Sequence, residues 1–284
     1  MVDQIVLQAL DACLKLSIAT RQACETSQHE IGYLLFDSYK GKPEDKRLHG
    51  NYAQVYSQGF EDGYIAEIFS RIGPKSRSFL EIGVENGLQN TTRLLLEQGW
   101  SGVWVEGSVE KSNQAREIFR PYIESGKLKI ITNFVNRENI NEILDHANVE
   151  KTFDLISVDI DYNTSHIWRV LNRTARVYCI EYNSSLPPSV ALEVPYDASG
   201  IWDGTNFFGA SLKTMEQIGL TKNASLVGCD IHGLNAYLVA QDECGAHFCE
   251  PFTAENHHQY AKYSAVTHIG HGPSHVARKW NLSS

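Results

Sequence analysis

Two pairs of oxygen-bearing side chains could do chemistry together in this 284-residue chain: Asp159 with Asp161, and Glu181 with Asn183. Members of each pair are two positions apart, so on extended backbone they point the same way. Each pair sits at the end of a short apolar run, residues 153–160 and 177–182. If those runs are neighbouring parallel strands, all four groups converge at one carboxyl edge. Three carboxylates in one place repel one another, so such a corner must hold a metal, a proton, a basic partner or a cationic ligand. The donor set suits Mg2+ or a similar hard cation, with Asp159, Asp161, Glu181 and Asn183 as ligands. The alternative makes Asp159 a cofactor contact, Asp161 a helix cap and Glu181 a structural hydrogen-bonding group. Neither strand end contains lysine or arginine, though Arg169 or a residue of the tail could reach in. Asp161, Glu181 and His166 are the candidates for moving a proton, His166 because its ordinary pKa lies near neutrality; its alternative is a histidine on a helix surface. His232 reads as a turn residue.

A second constellation lies upstream. Glu81-Ile82-Gly83-Val84-Glu85-Asn86-Gly87 closes one apolar run, and Glu106 closes the next, nineteen residues after Gly87. A glycine turn lets backbone approach a ligand, and an acidic residue at that distance can hold two ribose hydroxyls, which together imply a nucleoside-containing cofactor. A nicotinamide dinucleotide wants glycine where Glu85 stands, and a carboxylate there would repel its pyrophosphate. S-adenosylmethionine has no phosphate and carries a sulfonium and an ammonium, so Glu81, Glu85 and the net charge of −9 suit it better.

The elements that must position these groups follow from periodicity. Residues 3–24 and 60–72 carry helical spacing, with the polar stretch 40–50 between them as a loop. Five apolar runs, 78–83, 102–107, 128–133, 153–160 and 177–182, alternate with helical segments 90–98, 109–119, 138–148 and 165–175. Residues 225–231 and 235–241 form an antiparallel pair. The expected fold is α/β: a doubly wound, mostly parallel, seven-stranded Rossmann-like sheet with a closing antiparallel hairpin and an N-terminal helical extension. The expected division is an extension at 1–75, a cofactor-binding core at 76–242 and a tail or lid at 243–284. Between the fifth strand and the hairpin, residues 184–189 and 195–212 make a long insertion. Tyr196, Trp202, Asp203, Asn206 and Phe207 in it would wall a hydroxylated small-molecule acceptor that has an apolar face. The tail histidines, His257, His258, His268 and His271, lack metal spacing and read as solvated or lid residues.

Hydrophobic residues at 42% and charged residues at 21% describe a folded globular chain, and its acidity excludes a general nucleic-acid binder. No apolar run approaches the roughly 18 residues of a membrane span, so no membrane partner is expected. The N-terminus does not read as a signal peptide, and six cysteines without CxxC pairs fit reduced thiols; a cytoplasmic location is the expectation. The stripe Val6, Leu10 and Leu14 on the first helix would be wet if left alone, so the helix should pack on its own sheet or, preferably, on a second copy in a homodimer.

The segments at 56–69, 79–87, 103–108 and 153–163 together resemble a seven-stranded S-adenosylmethionine-dependent methyltransferase. More narrowly, Ser57-Gln58-Gly59-Phe60-Glu61-Asp62-Gly63 and the run from Asp154 to Asp161 are similar to FkbM-type methyltransferases. The likeness covers about residues 55–241, with Glu85 departing from the commoner glycine. It implies that Glu81, Gly83 and Gly87, with Glu85 and Asn86 of the same loop, shape the methionine pocket. By the same likeness Glu106 holds the ribose, Asn133 borders the adenine, Asp159 contacts the cofactor, and Gln58, Glu61 and Asp62 cover it from the helical side. The four-oxygen corner is similar to the divalent-metal site of catechol-type O-methyltransferases, which place their last two ligands on adjacent residues where this chain has Tyr182 between. The expected function is methylation of a small molecule, on oxygen of a sugar or secondary-metabolite intermediate. N-methylation and a non-catalytic cofactor-binding module are the alternatives.

Overall fold

The computed structural model describes residues 2–37, 46–51, 53–262 and 281–282. Helix α1 (Val2–Asp37) runs on well past the expected end at residue 24. Val6, Leu10 and Leu14 are 50–61% exposed on it, so among the described residues the sheet does not cover this stripe. The chain then enters α2 (Glu61–Ile72), followed by β1 (Ser78–Ile82), α3 (Arg93–Glu97), β2 (Ser101–Glu106), α4 (Val109–Ile118), α5 (Arg120–Glu124) and β3 (Leu128–Thr132). Next come α6 (Ile140–His146), β4 (Thr152–Val158), a short 3-10 turn (Asp161–Asn163), α7 (Thr164–Val170) and β5 (Thr174–Glu181). After the two-residue β6 (Leu192–Glu193) the chain forms α8 (Leu212–Thr221), β7 (Ala224–Cys229) and β8 (Asn235–Ala240).

Seven of these strands form one sheet in the order β3-β2-β1-β4-β5-β8-β7, and β6 lies outside it. β1 to β5 run parallel, and β8 is antiparallel to both β5 and β7. This is the expected doubly wound sheet with its closing hairpin. The order reverses between β1 and β4, and a sheet of this kind opens a crevice at the carboxyl ends of those two strands.

Two-residue alternation splits the apolar residues between the faces. Leu80, Ile82, Val103, Val105, Ile156 and Val158 meet Ile140 and Leu144 of α6, Ile167 and Trp168 of α7, and Met215 and Ile218 of α8. Phe79, Trp104, Leu155 and Tyr237 meet Tyr64, Ile65 and Ile68 of α2 on the other face. Burying each such side chain contributes about 1.5–3 kcal/mol, so α2 packs as part of the core. Cys244, Phe248 and Ala254 are also buried against the sheet. His257, at 1% exposure, is a core residue and not the solvated one expected, while His268 and His271 lie outside the described residues.

Candidate active site

The loop after β1 presses directly on the backbone after β4. Gly83 has φ +87°, and a Cβ there would lie 1.7 Å from the Asp159 carbonyl oxygen, so only glycine fits. Asp159 N–H in turn donates to the Ile82 carbonyl at 3.0 Å. Beside this contact lies a cavity of about 380 Å³ walled by the ends of β1, β2, β3 and β4 and by residues 200–202 of the insertion. Glu106 closes β2 at its edge. One carboxylate oxygen accepts from Val84 N (3.2 Å) and Glu85 N (2.7 Å), and the other accepts from Ser108 N (2.8 Å). The same group that faces the cavity therefore also braces the glycine loop. Asn133 lines the cavity from β3, its N–H held by the Glu106 carbonyl. Glu85 adopts φ +52°, a left-handed conformation uncommon for a side-chain-bearing residue, and forms an ion pair with Lys111 at the cavity wall.

Asp159, Asp161 and Glu181 meet at the next corner, where one oxygen of each lies within 4.8 Å of the others. Asp159 opens to the cavity, and partial desolvation there, followed by the charge of Asp161, raises its pKa to about 7. Burial and then Glu85 raise Asp161 to about 6, against the pull of Lys111. Burial followed by the charges of Asp159 and Asp161 drives Glu181 well above the carboxylate range. Glu181 lies beside Asp159, and Thr164 Oγ1 donates to Glu181 at 3.0 Å. Asp161 itself sits at φ +56°, another left-handed residue at the cavity. Arg169, the cation that could have reached in, is paired with Glu193 at 2.8 Å.

Several expected site residues lie elsewhere. Asn183 is fully buried in the insertion, its Nδ2 donating to the Asn206 and Phe208 carbonyls and its Oδ1 accepting from Ser185 N; it is not the fourth ligand of the corner. His166 is 7% exposed and its Nε2 donates to the Val194 carbonyl at 2.8 Å, which makes it a clamp between α7 and the insertion, outside the cavity lining. Glu81 points to the α2 face, away from the cavity lining. Its carboxylate accepts from Asn90 Nδ2, Thr91 N, Thr92 N and Thr92 Oγ1, and burial raises its pKa to about 7. Glu61 accepts from Gly59 N and Asn235 Nδ2, and Asp62 accepts from the backbone N–H groups of residues 55–57; both organise the entry to α2. Gln58, which is exposed, lies outside the cavity lining, and so do the half-buried Asn86, which caps Leu88 N, and the buried Gly87, which packs on Trp104.

Of the insertion residues, Trp202 lines the cavity, its indole N–H donating to the Thr205 carbonyl at 2.7 Å. Tyr196 instead bonds Glu138 and accepts from Arg137 N, Asp203 accepts from Thr205, Asn206 receives Asn183 through its carbonyl, and Phe207 is buried near Tyr162. Lys111, Asn163 and Ile201 are cavity residues that sequence reasoning missed. A signal for Lys111 was present: Ser108 caps α4 directly after β2 by accepting from Lys111 N, which puts the lysine in the first turn beside the glycine loop.

No protein-family model and no curated protein matches the chain. Solved structures similar to it are S-adenosylmethionine-dependent methyltransferases. One from Clostridium acetobutylicum is 14% identical, with 63% of this chain and 89% of that one covered and a TM-score of 0.40. The glycopeptide N-methyltransferase MtfA, complexed with S-adenosylmethionine, is 11% identical over 66% and 96% of the two chains, with a TM-score of 0.41. The N-terminal domain of EvdMO1, with S-adenosylhomocysteine bound, is 13% identical over 65% and 81%, with a TM-score of 0.42. The strand order and direction observed in this chain are those of a doubly wound, Rossmann-like sheet closed by an antiparallel hairpin. Among the described residues no helix is long and apolar enough to cross a membrane.

Proposed function

We propose that this chain is an S-adenosylmethionine-dependent methyltransferase acting on an oxygen of a small hydroxylated molecule. The observation that carries the reading is the cavity at the sheet's reversal point, with the Gly83 backbone on one side and the Glu106 carboxylate on the other. A Cβ would fill the cradle at Gly83, and the carboxylates around it suit a ligand bearing sulfonium and ammonium groups. Glu106 would hold the ribose hydroxyls, Asn133 and the apolar Val105 and Val135 would border the adenine, and Asp159 would face the methionine end. Bound there, S-adenosylmethionine supplies a methyl group on a good leaving group, transferred in line to a nucleophile. The protein's part is then to orient the acceptor and take its proton, for which Asp161 and the Asp159–Glu181 pair stand at the cavity. The narrower kinship with FkbM-type enzymes has its support in the sequence elements alone.

A second reading is favoured by the convergence of Asp159, Asp161 and Glu181 within 4.8 Å. These three oxygen donors fit a hard divalent cation, which would lower the pKa of an acceptor hydroxyl. Turnover tests both readings: the full chain with S-adenosylmethionine and fractions of small-molecule extracts should release S-adenosylhomocysteine in a fraction-dependent way. Activity lost in chelator and restored by Mg2+ supports the metal, and full activity in chelator removes it. Tight cofactor binding with no turnover in any fraction would favour a non-catalytic module.

A further inference from the structure

The loop after β1 turns left-handed three times, at Gly83, Glu85 and Gly87, with φ +87°, +52° and +76°. Glycine takes that conformation freely, whereas a residue with a Cβ takes it at a cost. The backbone at 85 does not need a side chain. Its N–H donates to the Glu106 carboxylate at 2.7 Å, and glycine would supply the same donor. An uncommon conformation kept at a ligand cavity points to a task for the side chain it carries.

That side chain forms a hydrogen-bonded ion pair with Lys111 Nζ. Lys111 stands in the first turn of α4, its N–H held by Ser108 Oγ. Glu106 already holds the backbone of both segments, at Glu85 N and at Ser108 N, and the ion pair joins the same two segments through side chains. Glu85 and Lys111 both line the cavity, and among the described residues Lys111 is the one basic residue in its wall. The hydrogen bond to Glu85 is the largest influence raising the Lys111 pKa, ahead of the charges of Glu106 and Asp161, so Glu85 is its partner and not one acid among several.

Resting on the cofactor reading above, we infer that Glu85 and Lys111 form a clasp that holds the glycine loop against the bound nucleoside and sets how long the cofactor stays. They are positioning residues: the loop backbone and Glu106 meet the ligand, and the pair keeps them in place. Glu85 is 73% and Lys111 45% exposed, so water screens the pair, and its effect on retention should be about two- to fivefold.

Calorimetry with S-adenosylhomocysteine, and a chase of the radiolabelled compound from the full chain at low salt, test the clasp. Glu85→Gln and Lys111→Met should each release the ligand about two- to fivefold faster, and the double variant no faster than either single one. In 1 M NaCl the three variants and wild type should release it at one rate. Glu85→Gly should also release it faster, while its unfolding midpoint without ligand stays level or rises, because glycine keeps the N–H on Glu106 and relieves the left-handed residue. Unchanged release in both single variants, or effects that multiply in the double variant, overturns the proposal. A loss in Glu85→Gln that Lys111→Met does not share assigns Glu85 a direct ligand contact and overturns it too. So does faster release of Glu85→Gly with a lowered midpoint, which would make the side chain a brace of the loop's own fold. Failure of the cofactor reading is seen separately, as no heat when wild type meets S-adenosylhomocysteine.

Discussion

Replacing Glu106 by Gln separates the loop bracing seen in the structure from the ribose contact proposed for this carboxylate. One oxygen accepts from Val84 N and Glu85 N and the other from Ser108 N, so the carboxylate faces three backbone donors. A glutamine of the same shape has one acceptor oxygen, and its NH2 must oppose either Ser108 N–H or the loop pair. Setting a donor against a buried donor costs about 1–3 kcal/mol, which should appear as a lower unfolding midpoint. The ribose contact is lost in addition, a charge-assisted bond worth about 1.5–3 kcal/mol, or about ten- to hundredfold in affinity. Calorimetry with S-adenosylhomocysteine and thermal unfolding by circular dichroism read the two terms apart. Glu81→Gln is the control: its carboxylate accepts from residues 90–92 outside the cavity, so it should lose stability and keep cofactor affinity within about threefold. Glu106→Gln with unchanged affinity and a lowered midpoint would reduce Glu106 to a loop brace and refute its place at the ribose.

His166→Ala should lower stability by about 1–2 kcal/mol through loss of the Val194 bond while leaving both limbs of the pH–rate profile in place; a lost limb would restore it as a base. Arg176, followed by Lys75, holds Glu243 down at about 2 from its ordinary 4.5, so the pairing stabilises the fold above pH 4.5 and is lost as pH falls through about 2. With Lys75 largely solvated, screening leaves about 1–2 kcal/mol of this. Urea unfolding should show Glu243→Gln less stable than wild type by that amount at pH 7 and equal to it near pH 2; a constant difference across this range would exclude the linkage. If α1 pairs with a second copy, sedimentation should give a dimer mass that Leu10→Asp with Leu14→Asp converts to monomer, and a monomeric wild type would end the homodimer expectation.

What was legible in the sequence was what backbone periodicity encodes. Runs such as Ser78–Ile82 and Leu128–Thr132 are short and largely apolar and alternate with helical segments, which is enough to read a doubly wound parallel sheet. Glu106, Gly83, Asn133 and Asp159 reached the cavity because strand ends in a doubly wound sheet have one place to go. Side-chain direction past a strand end was not legible. Glu81 and Ile82 are adjacent, so they face opposite sides of the sheet, and the acidic residue took the side under α2. The pair rule held for Asp159 and Asp161 although the backbone there had already left the strand. It failed for Glu181 and Asn183 because the chain turns into the insertion after β5, where the Asn183 amide finds two carbonyls of residues 206 and 208. Helix α8, between the insertion and the hairpin, went unread, although Leu212, Met215 and Ile218 repeat at helical spacing behind the Ser211 cap. His166 illustrates the limit of reasoning from residue type, since a buried carbonyl partner outweighs an ordinary pKa near neutrality.

The central claim is that the cavity between the Gly83 loop and Glu106 is a site for S-adenosylmethionine, and titration calorimetry of the full chain with S-adenosylhomocysteine and, separately, with NAD tests it most directly. The account predicts one site per chain for S-adenosylhomocysteine, weakened in Glu106→Gln, and weaker or absent binding of NAD. No binding of S-adenosylhomocysteine, or tighter binding of NAD, would contradict it.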